Sequence, residues 1–315
     1  MWRLLQGIFL RDEGEERRRC FESAGKGVYM LYLSSFTFPG IEQEYDFEFR
    51  QKYTCYDTYY PFRILSKHHL ERLDFEPVTI LYGGNGSGKT TALNVIAEKL
   101  GLRRETLYNR SNFFGDYTAL CDYEVERKVP LGSRIITSDD VFDFMLNLRS
   151  INDGIDLKRD EIFEEYYDLR NKRFQMRSME DYEQLKKVVS ARSKTKSGFV
   201  REQVQDNVRE HSNGESAFLY FAENIRENAL YLLDEPENSL SPAKQQELLK
   251  FLEDSARFFG CQFVIATHSP FLLSMKGAKI YDMDEDPVDV KRWTQFGNVR
   301  EYYDFFKLHE NEFER

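Results

Sequence analysis

At 315 residues the chain can bury a full α/β core and one additional lobe, which excludes an architecture of two large domains. Its formal net charge of −10 excludes a globally basic nucleic-acid binder while leaving room for a local basic patch. The four cysteines, Cys20, Cys55, Cys121 and Cys261, stand far apart with no C-x-x-C pair, and no apolar stretch, residues 1–10 included, is long enough to span a bilayer; the expectation is a soluble, cytoplasmic protein with reduced thiols and no membrane contact.

Residues 28–38 are rich in β-formers, Pro39-Gly40 reads as a turn, and residues 45–50 alternate apolar and charged side chains, so a hairpin with an exposed second strand is expected. Residues 51–72 are polar and aromatic; Tyr53, Tyr56, Tyr59, Tyr60 and Phe62 read first as packing residues and second as rings for an adenine. The pair His68-His69 is not at ligand spacing and reads as solvated. Residues 78–82 are a continuous apolar run, followed by Gly83-Gly84-Asn85-Gly86-Ser87-Gly88-Lys89-Thr90-Thr91 and an amphipathic stretch to Leu100. That is G-x-x-x-x-G-K-[ST] in the strand, loop and helix order that a phosphate-binding P-loop requires. The glycines let successive N–H groups turn inward around a phosphate, and the helix start adds the positive end of its dipole. Lys89 brings a mobile charge to the outer phosphates of ATP, and Thr90 offers a hydroxyl to Mg²⁺.

Residues 103–114 read as a loop, and 117–127 and 134–137 as strands that extend the sheet. Residues 139–211 change character: charge is dense, turn signals are few, and Ile162, Tyr166 and Leu169 fall at helical spacing, which predicts a helical lobe inserted in the domain. Within it Lys186, Lys187, Arg192, Lys194, Lys196 and Arg201 form a basic run without acidic residues between Lys186 and Arg201; it reads as a flexible, solvated loop or as a phosphate-contacting patch for nucleic acid. Two further apolar runs, 229–233 and 263–267, flank a helical stretch at 242–259, the pattern of a parallel sheet with crossover helices. Residues 279–283 and 288–293 read as terminal strands, and a charged amphipathic helix follows from 301.

The run 229–233 ends in Asp234-Glu235-Pro236, a Walker B element: Asp234 at the end of its strand is placed to hold Mg²⁺, and Glu235 to act as general base on an attacking water. Ser212-Asn213-Gly214-Glu215 precedes an apolar run as a capping box and opens a helix whose N-terminus is an anion site.

With these elements in order the sequence resembles the ATP-binding-cassette ATPases, whose signature opens the helix ahead of Walker B and contacts the γ-phosphate held by the other subunit. The resemblance implies nucleotide contacts for Ser212, Gly214 and Glu215. It makes 238–241 a D-loop with Ser239 facing the nucleotide, and makes His268, in Ala266-Thr267-His268-Ser269-Pro270, the switch histidine. Wording such as Asp-Glu-Pro-Glu-Asn and Thr-His-Ser-Pro is most similar to the soluble branch related to RecF, SMC and overcoming-lysogenization-defect proteins. The implied fold is an α/β P-loop NTPase of the ABC-ATPase head type, a mixed sheet with an N-terminal antiparallel β part and an inserted helical lobe. Its expected boundaries are 1–138 and 212–300 for the ATPase halves, 139–211 for the lobe and 301–315 for a final helix.

Two departures stand out. No glutamine lies between Lys89 and Gln175, so the Q-loop glutamine is missing and Asn112 or Asp116 is expected in its place; Asn213 also stands where the signature has glycine. The resemblance further implies an ATP-dependent homodimer, an effector such as a nuclease supplied by another chain, and work in DNA repair or in antiviral and mobile-element defence. The alternatives are the ATP-binding subunit of a membrane transporter and a nucleotide-binding module without turnover.

Overall fold

The computed structural model describes residues 29–51, 55–56, 58–171, 182–204 and 213–313. Its contacts divide the chain into two units, Met1–Ser138 with Ala222–Arg315, and Asp139–Phe221.

The first unit holds two sheets. In the smaller, β1 (Leu33–Thr37) lies between β2 (Arg72–Asp74) and β4 (Asp122–Val125) and is antiparallel to both. The larger has the order β5-β6-β7-β3-β8-β9, built from β3 (Val78–Tyr82), β5 (Arg134–Thr137), β6 (Leu230–Asp234), β7 (Gln262–Ala266), β8 (Lys279–Asp282) and β9 (Asp289–Val290). Among the described strands of this sheet only β9 runs antiparallel to its neighbour. Every residue of β3, β6 and β7 is buried, which is why these strands are continuous apolar runs rather than alternating ones. Thr137 pairs with Asp234, Asp234 with Ala266 and Ala266 with Leu81, so four strands end level at one edge.

Gln262 interrupts this apolar rule. Fully buried, its Oε1 accepts from the N–H groups of Tyr32 (2.8 Å) and Leu33 (2.9 Å), and its Nε2 donates to the Leu33 carbonyl (2.7 Å). One amide thus supplies the acceptor and donor that the backbone entering β1 needs, and ties the small sheet to the large one.

The helices of this unit are α1 (Ile41–Arg50), α2 (Lys89–Leu100) and α3 (Phe114–Leu120), then, after the second unit, α8 (Pro242–Phe258), α9 (Pro270–Leu273), α10 (Gly297–Leu308) and α11 (Glu310–Phe313). Two expectations are overturned here. Residues 45–50 form α1, not a strand, and Gly40 is its N-cap rather than a hairpin turn. Their alternation is real in the sequence, but Glu44 and Phe47, three apart, share the inward face of a helix. Glu44 accepts from Ser66 Oγ (2.7 Å) and the Arg63 N–H (2.8 Å), and Phe47 stacks on Phe62 at 4.6 Å, while Phe49 is 92% exposed. Acidic Glu42 and Glu44 in the first turn and Arg50 in the last also suit the helix dipole. Residues 117–127 likewise divide: α3 runs to Leu120, the strand begins only at Asp122, and it joins the small sheet instead of extending the large one.

Tyr59 stacks on Phe113 at 4.7 Å and Tyr56 meets its edge at 5.0 Å, so these aromatics of 51–72 pack against the core; Tyr53 lies outside the described residues. His69 is exposed, and its Nδ1 lies 2.6 Å from Asp286 Oδ1, itself exposed.

The second unit is helical: α4 (Ser138–Asn171), α5 (Tyr182–Ser193), α6 (Lys196–Arg201) and the first turns of α7 (Asn213–Asn224). Ile162, Tyr166 and Leu169 pack on Val188, Ala191, Phe199 and Val200. The basic run is therefore no flexible loop. It is mostly helix, with Thr195 capping α6 through its side chain, because Val188, Ala191, Phe199 and Val200 between the cations supply a buried face. Lys187 pairs with Glu165 at 2.8 Å, Lys194 pairs with Glu202, and the Lys196 ammonium sits 4.2 Å from the centre of the Phe163 ring. Among the described residues no helix is long and apolar enough to cross a membrane.

Candidate nucleotide-binding site

The loop between β3 and α2 is shaped by side-chain absence. Gly88 has φ +91°, and a Cβ there would stand 2.9 Å from Leu65 Cδ2; a Cβ on Gly83 would stand 2.5 Å from Ser87 Oγ. Ser87 Oγ is buried without a hydrogen-bond partner among the described residues, a polar atom inside the loop that awaits a ligand. Lys89 is buried, and its Nζ donates to the carbonyls of Gly83 (2.6 Å) and Gly84 (2.9 Å), which folds the ammonium over the loop. Residues 85–91, with Ile64 and Glu235, line a pocket of about 370 Å³. Asn85, Gly86, Ser87, Gly88, Lys89, Thr90 and Thr91 are thus gathered at one cavity, where Tyr60 braces Thr91 by a hydroxyl contact of 3.2 Å.

Thr90 Oγ1 donates to Asp234 Oδ1 at 3.1 Å, which brings the helix start to the end of β6. Burial pushes the Asp234 carboxyl up to about 6, against the pull of the Thr90 hydrogen bond, and nearby Glu235 adds to the rise. Among the described residues no cluster of three or more His, Cys, Asp or Glu is placed to hold a metal ion. The two oxygens of Thr90 and Asp234 instead fit Mg²⁺, which binds through one or two protein oxygens and completes its shell with phosphates and water.

Glu235 turns the chain out of β6 with φ +48°, a left-handed conformation rare for glutamate, while its N–H still donates to the Ala266 carbonyl at 2.9 Å. Its Oε2 accepts from Asn238 Nδ2 at 3.0 Å. His268, half exposed just after β7, has Nδ1 at 3.9 Å from Glu235 Oε1 and 3.5 Å from Glu237 Oε1. Ser239 also takes a left-handed backbone, φ +68°.

Ser212 lies outside the described residues; Gly214, half buried, and Glu215, exposed, stand in the first turn of α7 in the helical unit. Asn112 and Asp116 are exposed around the start of α3, while the residue level with Asp234 on the neighbouring strand is Thr137.

Two residues of the site had no assignment from the sequence. Asp284 follows β8, and its carboxylate accepts from the Gly84 N–H at 2.8 and 3.0 Å, holding the first turn of the P-loop. Glu237 is 5% exposed and accepts from Thr267 Oγ1 (2.6 Å), His268 N (3.0 Å) and Ser269 N (3.2 Å). Glu237 sits in plain view as the second glutamate of Asp-Glu-Pro-Glu, and burial alone distinguishes it. Asp284 is 200 residues from its partner, beyond any local signal.

Strand order, P-loop, the Thr90–Asp234 contact and a helical unit placed in the chain between β5 and β6 now stand together. The fold is that of an ABC-type P-loop ATPase head. Residues 185–274 match a family described as "AAA domain, putative AbiEii toxin, Type IV TA system", a span that takes in Walker B and His268. No curated protein matches. Among solved structures the chain is similar to a putative metal-chelate type ABC transporter in an inward-facing conformation, at 18% identity over 73% of this chain and 80% of that one, TM-score 0.36. It is also similar to the SMC head domain from Thermotoga maritima, at 13% identity over 83% of this chain and 99% of that one, TM-score 0.35. A third is the ATP-binding cassette MJ0796 bound to ADP and Pi, at 15% identity over 72% and 91%, TM-score 0.33.

Proposed function

We propose that this protein is an ABC-type ATPase that binds ATP with Mg²⁺, hydrolyses it to ADP and phosphate, and uses the cycle as a dimerisation switch. The observation that carries the reading is the Thr90–Asp234 contact at 3.1 Å beside a pocket lined by both the P-loop and Glu235. Lys89 spreads its charge over the outer phosphates, the N–H groups of 85–91 cradle them, and Thr90 with Asp234 would hold the Mg²⁺ that neutralises charge on the phosphates. Glu235 lines the pocket and takes or shares the proton of an attacking water, with His268 at its side. In a pair of such heads Ser212, Gly214, Glu215 and Ser239 serve the partner's nucleotide.

The lobe then passes closure to an effector protein encoded elsewhere. Pairing of Lys187, Lys194 and Lys196 inside the lobe favours a protein over nucleic acid as what it contacts. The description of the matching family, a putative toxin of a type IV system, supports defence against phage or mobile elements over DNA repair as the setting.

The test is ATP turnover by the wild-type chain and by Glu235→Gln. Wild-type turnover that needs Mg²⁺ and falls at least about 100-fold in the variant is expected for loss of a general base. No turnover by the wild type, or full turnover by the variant, overturns the assignment.

A further inference from the structure

We propose that Glu237 is a positioning residue for His268, tethering the exit of β7 to the exit of β6; this rests on the ATPase reading. Glu237 Oε1 gathers three donors from consecutive residues, Thr267 Oγ1 at 2.6 Å, His268 N at 3.0 Å and Ser269 N at 3.2 Å, and stands 3.5 Å from His268 Nδ1. The loop that carries the histidine is thus hung from one oxygen by a hydroxyl and two backbone N–H groups, with the imidazole Nδ1 facing the same oxygen.

The arrangement is costly in a way that packing does not explain. Glu237 is 5% exposed, and its second oxygen, Oε2, is buried with no hydrogen-bond partner among the described residues. A carboxylate buried with one oxygen unsatisfied is expensive, and an apolar residue of similar volume would avoid the expense. What the carboxylate adds is orientation. Facing Nδ1, it favours the proton on that nitrogen and leaves Nε2 for the substrate side. The chain on the other side of the tether is fixed too: the turn after β6 is closed by Asn238 N to Glu235 O (3.1 Å) and Leu240 N to Glu237 O (3.0 Å). Glu235 and Glu237 thus lie in one hydrogen-bonded turn, so the tether holds the histidine beside the general base, with His268 Nδ1 at 3.9 Å from Glu235 Oε1.

Glu237→Gln keeps the shape and an acceptor oxygen but removes the charge. In the full chain it is expected to lower kcat about 10- to 100-fold while KM for ATP and the affinity for a fluorescent ATP analogue stay within about twofold, the pattern of a group acting in the transition state. Ring ¹⁵N shifts of His268, assigned with His268→Asn, read the tether without turnover and are expected to move from the Nδ1–H form towards a mixture of tautomers. A folded Glu237→Gln with wild-type kcat, or with unmoved His268 shifts, overturns the proposal. An inactive wild type overturns the ATPase reading instead, and the ¹⁵N shifts still decide whether Glu237 orients His268. Should Glu237→Gln not fold, Thr267→Val removes one donor of the three and is expected to lower kcat several-fold with KM unchanged; unchanged kcat in that variant overturns the proposal as well.

Discussion

Thr90 and Asp234 are 144 residues apart in sequence and 3.1 Å apart in space. The contact exists because β3 and β6 flank β7, run parallel to it and end level, so the second residue of α2 meets the last residue of β6. Ligands of open α/β sheets bind at such carboxyl ends, where strands stop and loops of both flanks converge.

A pH dependence follows from the same pair. The folded-state value of Asp234, about 6, lies above the ordinary 3.8, so the folded chain holds an extra proton between about pH 4 and pH 6 and gains stability as pH falls through that window. Above it the buried carboxylate costs the fold on the order of 3 kcal/mol. Asp234→Asn is therefore expected to raise the melting temperature of the nucleotide-free protein at neutral pH and to flatten its change between pH 4 and 6, while Mg²⁺-dependent turnover is lost. Thermal melts across that range, with a turnover assay, check both halves.

Gly88→Ala should fail on two counts. Its φ of +91° is unfavourable for any side chain, and the new Cβ would press on Leu65 Cδ2 at 2.9 Å. The expected cost is about 1–3 kcal/mol of stability, and the loop that must wrap phosphate is displaced. Denaturant melts and nucleotide titration measure the two effects; a variant that binds ATP as the wild type does would show that the loop tolerates a left-handed alanine.

Gln262→Leu tests the bond between the sheets. Leucine fills the space but strips the N–H groups of Tyr32 and Leu33 of their acceptor, a loss of about 2–4 kcal/mol for buried donors left unpaired. Denaturant unfolding is the measurement. Residual activity below the melting temperature is expected to persist, since Gln262 is at the start of β7 and the site at its end.

What the sequence made readable tracks the period and burial of each segment. The apolar runs 78–82, 229–233 and 263–267 were legible as strands because strands buried on both faces are apolar along most of their length, and the P-loop because its glycines and lysine are fixed by phosphate chemistry. Residues 45–50 misled because a period of two in Tyr45, Phe47 and Phe49 says nothing about which neighbour buries Glu44. That neighbour is Ser66, brought in by tertiary packing. Residues 186–201 read wrongly as a flexible loop for a related reason: the partners of Lys187 and Lys196, Glu165 and Phe163, and the apolar face that buries Val188 and Ala191 sit on α4, a separate helix. The Glu237 tether depends on a loop 30 residues further on, and a lone glutamate carries no mark of it.

The last prediction concerns the dimer, and it turns on what holds the γ-phosphate once hydrolysis is blocked. Glu235→Gln removes the proton acceptor but leaves Lys89, Thr90 and Asp234 in place, so ATP and Mg²⁺ stay bound and the intact γ-phosphate bridges two heads. A dimer is then expected to accumulate with ATP and to be absent without it. Ser212→Arg puts bulk and charge one residue ahead of α7 in the sequence, where the resemblance places the contact to the partner's nucleotide. In the Glu235→Gln background it is expected to return the mass to that of a monomer while nucleotide affinity, set by Lys89 in the same chain, changes little. Light scattering of the single and double variants with and without ATP, alongside nucleotide titration, separates the outcomes. If Glu235→Gln binds ATP and stays monomeric, or if Ser212→Arg leaves the ATP-dependent dimer intact, the sandwich arrangement is wrong for this chain and residues 212–215 serve only to start a helix.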